Sequence, residues 1–216
     1  MASGAADDAV VLFSGGLDSA TCLWHAAQNH LHVYALHFTY GQKNMNKEGM
    51  AVRLLQRDLN GRYLVGPDDR FQEKASMHVY AMPIFGATSA ILSGGKGKMD
   101  KVQDLIVPGR NAVFLSIAYA FAAQRGARHV YLGAKRSQFP DCQPKFLALM
   151  AEALGLGLGA WSPVDLKLPL LGWSRQQTLD YARTLGVPVA TTWSCYEGGT
   201  VPCGECGACL DRASAI

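Results

Sequence analysis

Six residues, Ser14-Gly15-Gly16-Leu17-Asp18-Ser19, join a continuously apolar run, Ala9 to Phe13, to a segment with Ala20, Leu23, Trp24 and Ala27 at helical spacing. A short run that is apolar at every position suits a strand covered on both faces, as in a parallel sheet. The segment Asp18 to Gln28 reads as an amphipathic helix. The junction is therefore strand, glycine turn, helix. In open α/β sheets such turns lie at the carboxyl ends of strands, where ligands collect. Their consecutive N–H groups form an anion nest, and the helix N-terminus adds partial positive charge. Gly15 and Gly16 let the backbone approach a phosphate with no Cβ in the way, and Ser14 and Ser19 offer hydroxyl donors. Asp18 would repel a bare phosphate, so its place here suits either a role through Mg²⁺ or a helix N-cap. No Gly-Lys-Ser/Thr follows, so this is not a Walker loop. A plain glycine turn with an Asp/Ser cap is the alternative.

The rest of the chain repeats the alternation. His32 to Phe38 and His129 to Leu132 read as strands, and Arg62 to Val65 and Val79 to Ile84 as weaker ones, the last interrupted by Pro83. Lys47 to Leu59, Asn111 to Gln124 and Phe146 to Ala153 read as helices, the third closed by Gly155, Gly157 and Gly159. Ser174 is a suitable N-cap for an Arg175 to Leu185 helix that Gly186 and Pro188 end. Ser93 to Lys101 is a loop by composition. Short joints between strands and helices predict a right-handed, mostly parallel sheet of Rossmann-like α/β type. We expect residues 1–8 to be a disordered lead-in, 9–190 one domain, and 191–216 a metal-binding C-terminal segment.

Composition narrows the class. Charged residues are 17% of the 216, against about 25% in ordinary domains, and 49% are hydrophobic, which excludes a disordered chain. A net charge of +3 makes no general electrostatic case for nucleic acid or a membrane surface. The longest apolar stretch, Ala112 to Ala123, falls short of the ~18 residues of a spanning helix. Met1 to Asp8 lacks the basic and apolar regions of a signal peptide, so a cytoplasmic location is expected.

Four of the six cysteines crowd the C-terminus as Cys195-x7-Cys203-x2-Cys206-x2-Cys209. The x2 spacings let neighbouring thiolates reach one tetrahedral ion, with Gly204 and Gly207 permitting the turns. Four protein ligands leave no open position, so the site would be structural. A Cys206/Cys209 dithiol for redox or sulfur relay is the alternative. A nucleic-acid-binding zinc ribbon is disfavoured, because Trp193 to Arg212 holds a single basic side chain, Arg212.

The loop Ser14 to Ser19 resembles the pyrophosphate loop of the N-type ATP pyrophosphatases, which include GMP synthetase, asparagine synthetase and tRNA thiolases. These enzymes cleave ATP between its α and β phosphates and transfer AMP to a substrate oxygen. Further strings follow: Tyr40-Gly41-Gln42, Val107-Pro108-Gly109-Arg110-Asn111, Pro140-Asp141-Cys142, Thr192-Trp193-Ser194-Cys195-Tyr196, and the block from Cys203 through Cys206 and Cys209 to Arg212. Together, in this order from Ser14 to Arg212, they resemble the 7-cyano-7-deazaguanine synthases, whose fold is that of the adenine nucleotide alpha hydrolases. That family adenylates 7-carboxy-7-deazaguanine with ATP, displaces AMP with ammonia to give an amide, and spends a second ATP on dehydration to the nitrile precursor of queuosine and archaeosine.

The resemblance implies that Phe13, Ser14, Gly15, Gly16, Leu17, Asp18 and Ser19 hold ATP, with Asp18 helping to position Mg²⁺. It implies that Arg110 meets phosphate or developing charge, a helix-start salt bridge being the alternative. Asp141 would accept from the base, with an Asx-turn as its alternative, so Asp18, Arg110 and Asp141 are the catalytic candidates. Tyr40, Gln42, Arg110, Asn111, Pro140, Asp141 and Cys142 would form the substrate pocket, and Cys195, Cys203, Cys206 and Cys209 would bind a structural Zn²⁺. Trp24 and Tyr119 read as core and His37 as structural. The implied partners are a small deazaguanine and ammonia, without nucleic acid or membrane, in a family that is often dimeric.

Three places depart from the family pattern. Tyr-Gly-Gln usually continues with Arg-His and a carboxylate, here Lys43-Asn44-Met45-Asn46-Lys47-Glu48; the stretch before Pro140 is shortened to Arg136-Ser137-Gln138-Phe139; and Ser-Lys-x-Glu has become Ser174-Arg175-Gln176-Gln177. Arg does not replace Lys where a point ammonium is needed, and a lost carboxylate and histidine remove proton carriers. The departures suit a paralogue that adenylates the same acid but joins it through an amide to another amine, such as one on a protein or peptide. Sulfur transfer to tRNA is a lesser alternative; it needs a reachable low-pKa cysteine and a basic RNA face.

Overall fold

The computed structural model describes residues 7–63, 74–82, 105–135, 139–160 and 162–214. Strand β1 (Ala9–Leu12) is buried at every position and lies at the centre of a five-stranded sheet. Its apolar continuity has the expected cause, because it is covered on both faces. Ala9, Val11 and Phe13 face one core with Ala20 and Leu23 of α1 (Leu17–Asn29), Val52 and Leu55 of α2 (Met45–Tyr63), and Leu179 of α5 (Arg175–Thr184). Val10 and Leu12 face the other, with Leu115, Ala118 and Tyr119 of α3 (Arg110–Arg125) and Leu147 of α4 (Pro144–Leu158). The two-residue period of a strand produces this division. Trp24 and Tyr119 belong to these cores, as expected.

Strands β2 (Val33–Thr39), β3 (Ala75–Ala81), β4 (His129–Leu132) and β5 (Asp165–Lys167) complete the sheet in the order β3-β2-β1-β4-β5, with every pairing parallel. The chain winds outward from β1 through β2 to β3, then returns to the other side of β1. The order therefore reverses between β1 and β4, which opens a crevice above their carboxyl ends.

Several boundaries differ from the sequence reading. Arg62, read as the start of a weak strand, lies in the last turn of α2; Val65 lies outside the described residues. The weak strand at Val79 to Ile84 is displaced toward the N-terminus and ends at Ala81, while Pro83 and Ile84 lie outside the described residues, as does the Ser93 to Lys101 loop. Helix α4 runs through Gly155 and Gly157 and stops only at Gly159, which has φ 74°. An interior glycine costs a helix only about 1 kcal/mol, and here Leu154 and Leu158 hold the final turn against the core. Among the described strands and α-helices, two were not anticipated: β5, which is too short for periodicity to reveal, and the seven-residue α6 (Gly207–Ala213) within the cysteine segment. At α5 the Ser174 Oγ accepts from the Gln177 N–H at 3.1 Å and the Gln177 Oε1 accepts from the Ser174 N–H at 2.8 Å, a complete capping box. Among the described residues no helix is long and apolar enough to cross a membrane.

Candidate active site

The glycine turn closes the crevice floor. Gly15 has φ 81°, and a Cβ there would stand 3.1 Å from the Glu48 carbonyl oxygen and 3.1 Å from a Val52 methyl. From the β4 side Gly133 approaches so closely that a Cβ would lie 2.9 to 3.0 Å from backbone atoms of Asp18 and Ser19. The two serines brace the turn: their hydroxyls lie 3.1 Å apart, Ser19 Oγ donates to the Gly16 carbonyl at 3.1 Å, and the Ser14 N–H donates to Ser19 Oγ at 3.2 Å. Gly16 occupies the N-cap of α1 and no side chain caps that helix, so Asp18 is not its cap. Instead its carboxylate faces the cleft, 3.2 Å from Arg175 Nη1, and Arg175 Nε lies 2.9 Å from an Asp211 oxygen. Burial pushes the Asp18 carboxyl up, while Arg175 and Lys135 oppose that shift.

The cleft above this floor has a volume of about 1260 Å³ and extends toward the N-terminus of α3. There Arg110 Nη1 donates to the Tyr40 hydroxyl at 3.1 Å. Burial works against the Arg110 charge, but Tyr40, Asp141 and Cys142 more than offset it, so the guanidinium stays protonated. The Phe114 ring lines the same chamber and stacks on Phe38, with centroids 4.2 Å apart.

The expected pocket residues fall into two groups. Tyr40, Arg110, Asn111 and Cys142 line the cleft, as do Phe13, Ser14, Gly16, Leu17, Asp18 and Ser19. Gln42, Asp141, Pro140 and Gly15 are not among the residues that line it. Asp141 Oδ2 accepts the Asn111 N–H at 3.2 Å, which pins the first turn of α3, and its carbonyl accepts from Asn111 Nδ2 at 3.2 Å. Pro140 opens the short 3-10 turn that carries Asp141. Gln42 holds the bend after β2, accepting the Tyr40 N–H at 2.7 Å and donating to the Phe38 carbonyl at 3.1 Å. His37 is buried beneath the loop with its Nδ1 3.0 Å from the Phe13 carbonyl, and burial lowers its pKa. That placement agrees with its structural reading.

Sequence reasoning missed several cleft residues. Glu48, in the first turn of α2, is half-buried there, and its oxygens accept from Gln42 Nε2 at 2.9 Å and Asn44 Nδ2 at 3.1 Å. Burial pushes its carboxyl up to about 7, against the pull of those amides and Arg110. A carboxylate thus remains beside the Tyr-Gly-Gln turn. Lys135 also lines the cleft, and its position just past the end of β4 was a usable signal. The departure at Gln177 does not reach the cleft, since that side chain completes the capping box on the outer surface; Arg175 and Asn44 do reach it. Residues 136–138 lie outside the described residues.

The four cysteines converge. Their sulfurs all lie within 4.8 Å of one another, with Cys195 to Cys203 at 3.5 Å and Cys203 to Cys209 at 3.9 Å, and none forms a disulfide. Thiolates at about 2.3 Å from one tetrahedral ion stand about 3.8 Å apart, so the set fits a metal. This segment is also a wall of the cleft. The Trp193 N–H donates to the Gly15 carbonyl at 2.9 Å, Asn44 Nδ2 donates to the Cys195 carbonyl at 2.9 Å, and Arg212 binds the Thr192 and Val189 carbonyls at 2.9 and 2.8 Å. Trp193, Ser194, Tyr196 and Asp211 line the cleft from this segment.

The family described as queuosine biosynthesis protein QueC matches residues 8–216. A 7-cyano-7-deazaguanine synthase of Methanospirillum hungatei is 34% identical over 214 residues, covering 96% of this chain and 94% of that protein. One from Archaeoglobus fulgidus is 34% identical over 213 residues, covering 96% and 85%. Among solved structures, a 4-thiouridine synthetase bound to RNA and ATP superposes with a TM-score of 0.54 at 21% identity, over 86% of this chain and 42% of that one. NMN synthetase from Francisella tularensis gives 0.50 at 19% identity, over 87% and 65%. These two likenesses concern the fold alone.

Proposed function

This chain belongs to the family of the queuosine biosynthesis protein QueC, and on that footing we propose that it is an ATP-dependent C–N ligase acting on 7-carboxy-7-deazaguanine. ATP adenylates the carboxylate, ammonia displaces AMP, and a second activation removes water to give the nitrile. The observation that carries this reading is one continuous cleft joining the glycine turn, at the β1/β4 reversal, to the Tyr40–Arg110 chamber.

A carboxylate is a poor electrophile until one oxygen becomes part of a good leaving group, which AMP supplies. The protein's share is then positioning and charge stabilisation. The Phe13 to Ser19 turn receives the phosphates, and Asp18, whose carboxylate faces the cleft, would help to hold the Mg²⁺ that accompanies them. Arg175, ion-paired with Asp18, and Lys135 are cations already in the cleft and balance the phosphate charge. Arg110, kept protonated and aimed by the Tyr40 hydroxyl, faces the acid's carboxylate and the charge that develops on it. Phe114 and Tyr40 offer flat surfaces to the deazapurine. Cys195, Cys203, Cys206 and Cys209 would hold a structural Zn²⁺, whose contribution is to fix the wall bonded to Gly15.

The test supplies the protein with ATP, Mg²⁺, 7-carboxy-7-deazaguanine and ammonium, and follows nucleotides and products by mass spectrometry. AMP, pyrophosphate and the nitrile are expected, all dependent on the acid. AMP formation that stops at the adenylate or the amide would replace ammonia with another amine, on a protein or peptide. Absence of AMP would remove the deazaguanine assignment.

A further inference from the structure

Of the acids that line the cleft, Asp18 and Asp211 are both paired with Arg175. Glu48 differs. No cation lies within ion-pair distance of it among the described residues, and its two oxygens are instead held by neutral amides. Those amides are themselves fixed. Gln42 spans the Tyr40 N–H and the Phe38 carbonyl, and Asn44 also donates to the Cys195 carbonyl at 2.9 Å. Each spends one N–H on Glu48, which leaves lone pairs on a carboxylate that cannot swing away. Its main chain abuts the turn at Gly15 while its side chain shares the cleft with Arg110. Glu48 thus stands between the expected positions of the phosphates and of the acyl carbon.

We propose that Glu48 is the proton acceptor for the amine that displaces AMP. This rests on the ligase reading above. As the nitrogen lone pair forms the C–N bond, the C–O bond to AMP breaks and its electron pair leaves on the phosphate oxygen. The surplus N–H proton passes to a Glu48 oxygen, so the neutral amide and protonated Glu48 remain, and the proton is then lost to water.

The environment suits the task. Burial raises the carboxyl to about 7, half-ionised near neutrality and basic enough to take a proton from a forming ammonium-like centre. The ionisable groups that act on it from facing elements are the Arg110 guanidinium at the start of α3 and the Tyr40 phenol after β2. Arg110 stays charged and Tyr40 stays neutral through the relevant range, so neither changes its charge as Glu48 titrates.

The experiment separates the two half-reactions in the full-length wild type and E48Q. Adenylate formation is read as acid-dependent exchange of labelled pyrophosphate into ATP, and acyl transfer as amide formed from ammonium. We expect E48Q to keep exchange within about threefold of wild type and to lose about 100-fold or more in ammonia capture near pH 7.5. Hydroxylamine is a reactive nucleophile that is already unprotonated at that pH, and it should recover hydroxamate formation to within about tenfold. At constant free ammonia, wild-type capture should fall as pH drops through about 7, with that limb absent in E48Q. Ammonia capture at the wild-type rate in E48Q would overturn the proposal, as would parallel loss of exchange and capture, which would make Glu48 a binding or structural residue. Absence of acid-dependent exchange in the wild type would instead overturn the parent reading, and this one with it.

Discussion

Replacing Gly133 by alanine tests whether the contact between β4 and the glycine turn positions the loop. The added Cβ would lie 2.9 Å from the Asp18 carbonyl carbon, 3.0 Å from its oxygen and 3.0 Å from the Ser19 nitrogen. All three are backbone atoms, so no side chain can rotate out of the way. Gly133 follows directly on β4, which is held in register with β1 from Ala9↔His129 to Leu12↔Leu132. Relief must therefore come from moving the first turn of α1, and with it Asp18. Overpacking of this kind costs about 1–3 kcal/mol. For a chain of this size about 2 kcal/mol lowers Tm by roughly 4–8 °C. Displacing the turn should also raise the KM for ATP in acid-dependent pyrophosphate exchange by about tenfold, the equivalent of about 1.4 kcal/mol. The KM for the deazaguanine acid, read at saturating ATP, should change little. Calorimetry and exchange kinetics on one preparation check both halves. A variant with wild-type Tm and wild-type KM for ATP would refute the argument that this contact sets the loop.

Three further outcomes are expected. C206S should lose bound metal, from one ion per chain toward none by elemental analysis, and raise the KM for ATP, because the wall that it fixes is bonded to Gly15. Glu48 holds its proton more tightly in the folded state than in the unfolded chain, so its ionisation costs stability on the order of 3 kcal/mol above about pH 7 and none below about 4.5. In urea titrations E48Q should therefore gain on the wild type as pH rises from about 5 to 8, and an unchanged difference would count against the buried carboxylate. S174A removes one acceptor of the α5 capping box and should cost about 1 kcal/mol in chemical unfolding without altering exchange kinetics.

Much of the scaffold is legible in the sequence. The apolar run of β1 and the glycine turn were legible because burial on both faces and a tight strand-to-helix joint each impose residue types at consecutive positions. The cysteine set was legible for a similar reason, since short spacings bring thiolates together whatever the rest of the chain does. Elements with a weaker residue pattern were less legible. Strand β3 lies at the sheet edge with several half-exposed positions, so its pattern was faint and its span was placed too late. Helix α4 outran its glycines because tertiary packing of Leu154 and Leu158 outweighs a small local penalty.

The site shows the same division at finer scale. Sequence strings named Tyr40, Arg110, Asn111 and Asp141 together, but only the fold separates a cleft-facing Arg110 from an Asp141 that serves the first turn of α3. Glu48 looked like part of a departure from a familiar pattern, yet the helix that starts at Met45 turns it into the cleft. Local order, the glycine turn and the clustering of the four cysteines were determined by the sequence alone, because each depends on residues close together along the chain. Which side chains share the cleft, how Arg175 bridges Asp18 and Asp211, and how the cysteine segment comes to brace Gly15 were decided by tertiary structure. Those contacts join residues more than 30 and as many as 178 positions apart (Gly15 to Trp193), and no local pattern encodes which of them will meet.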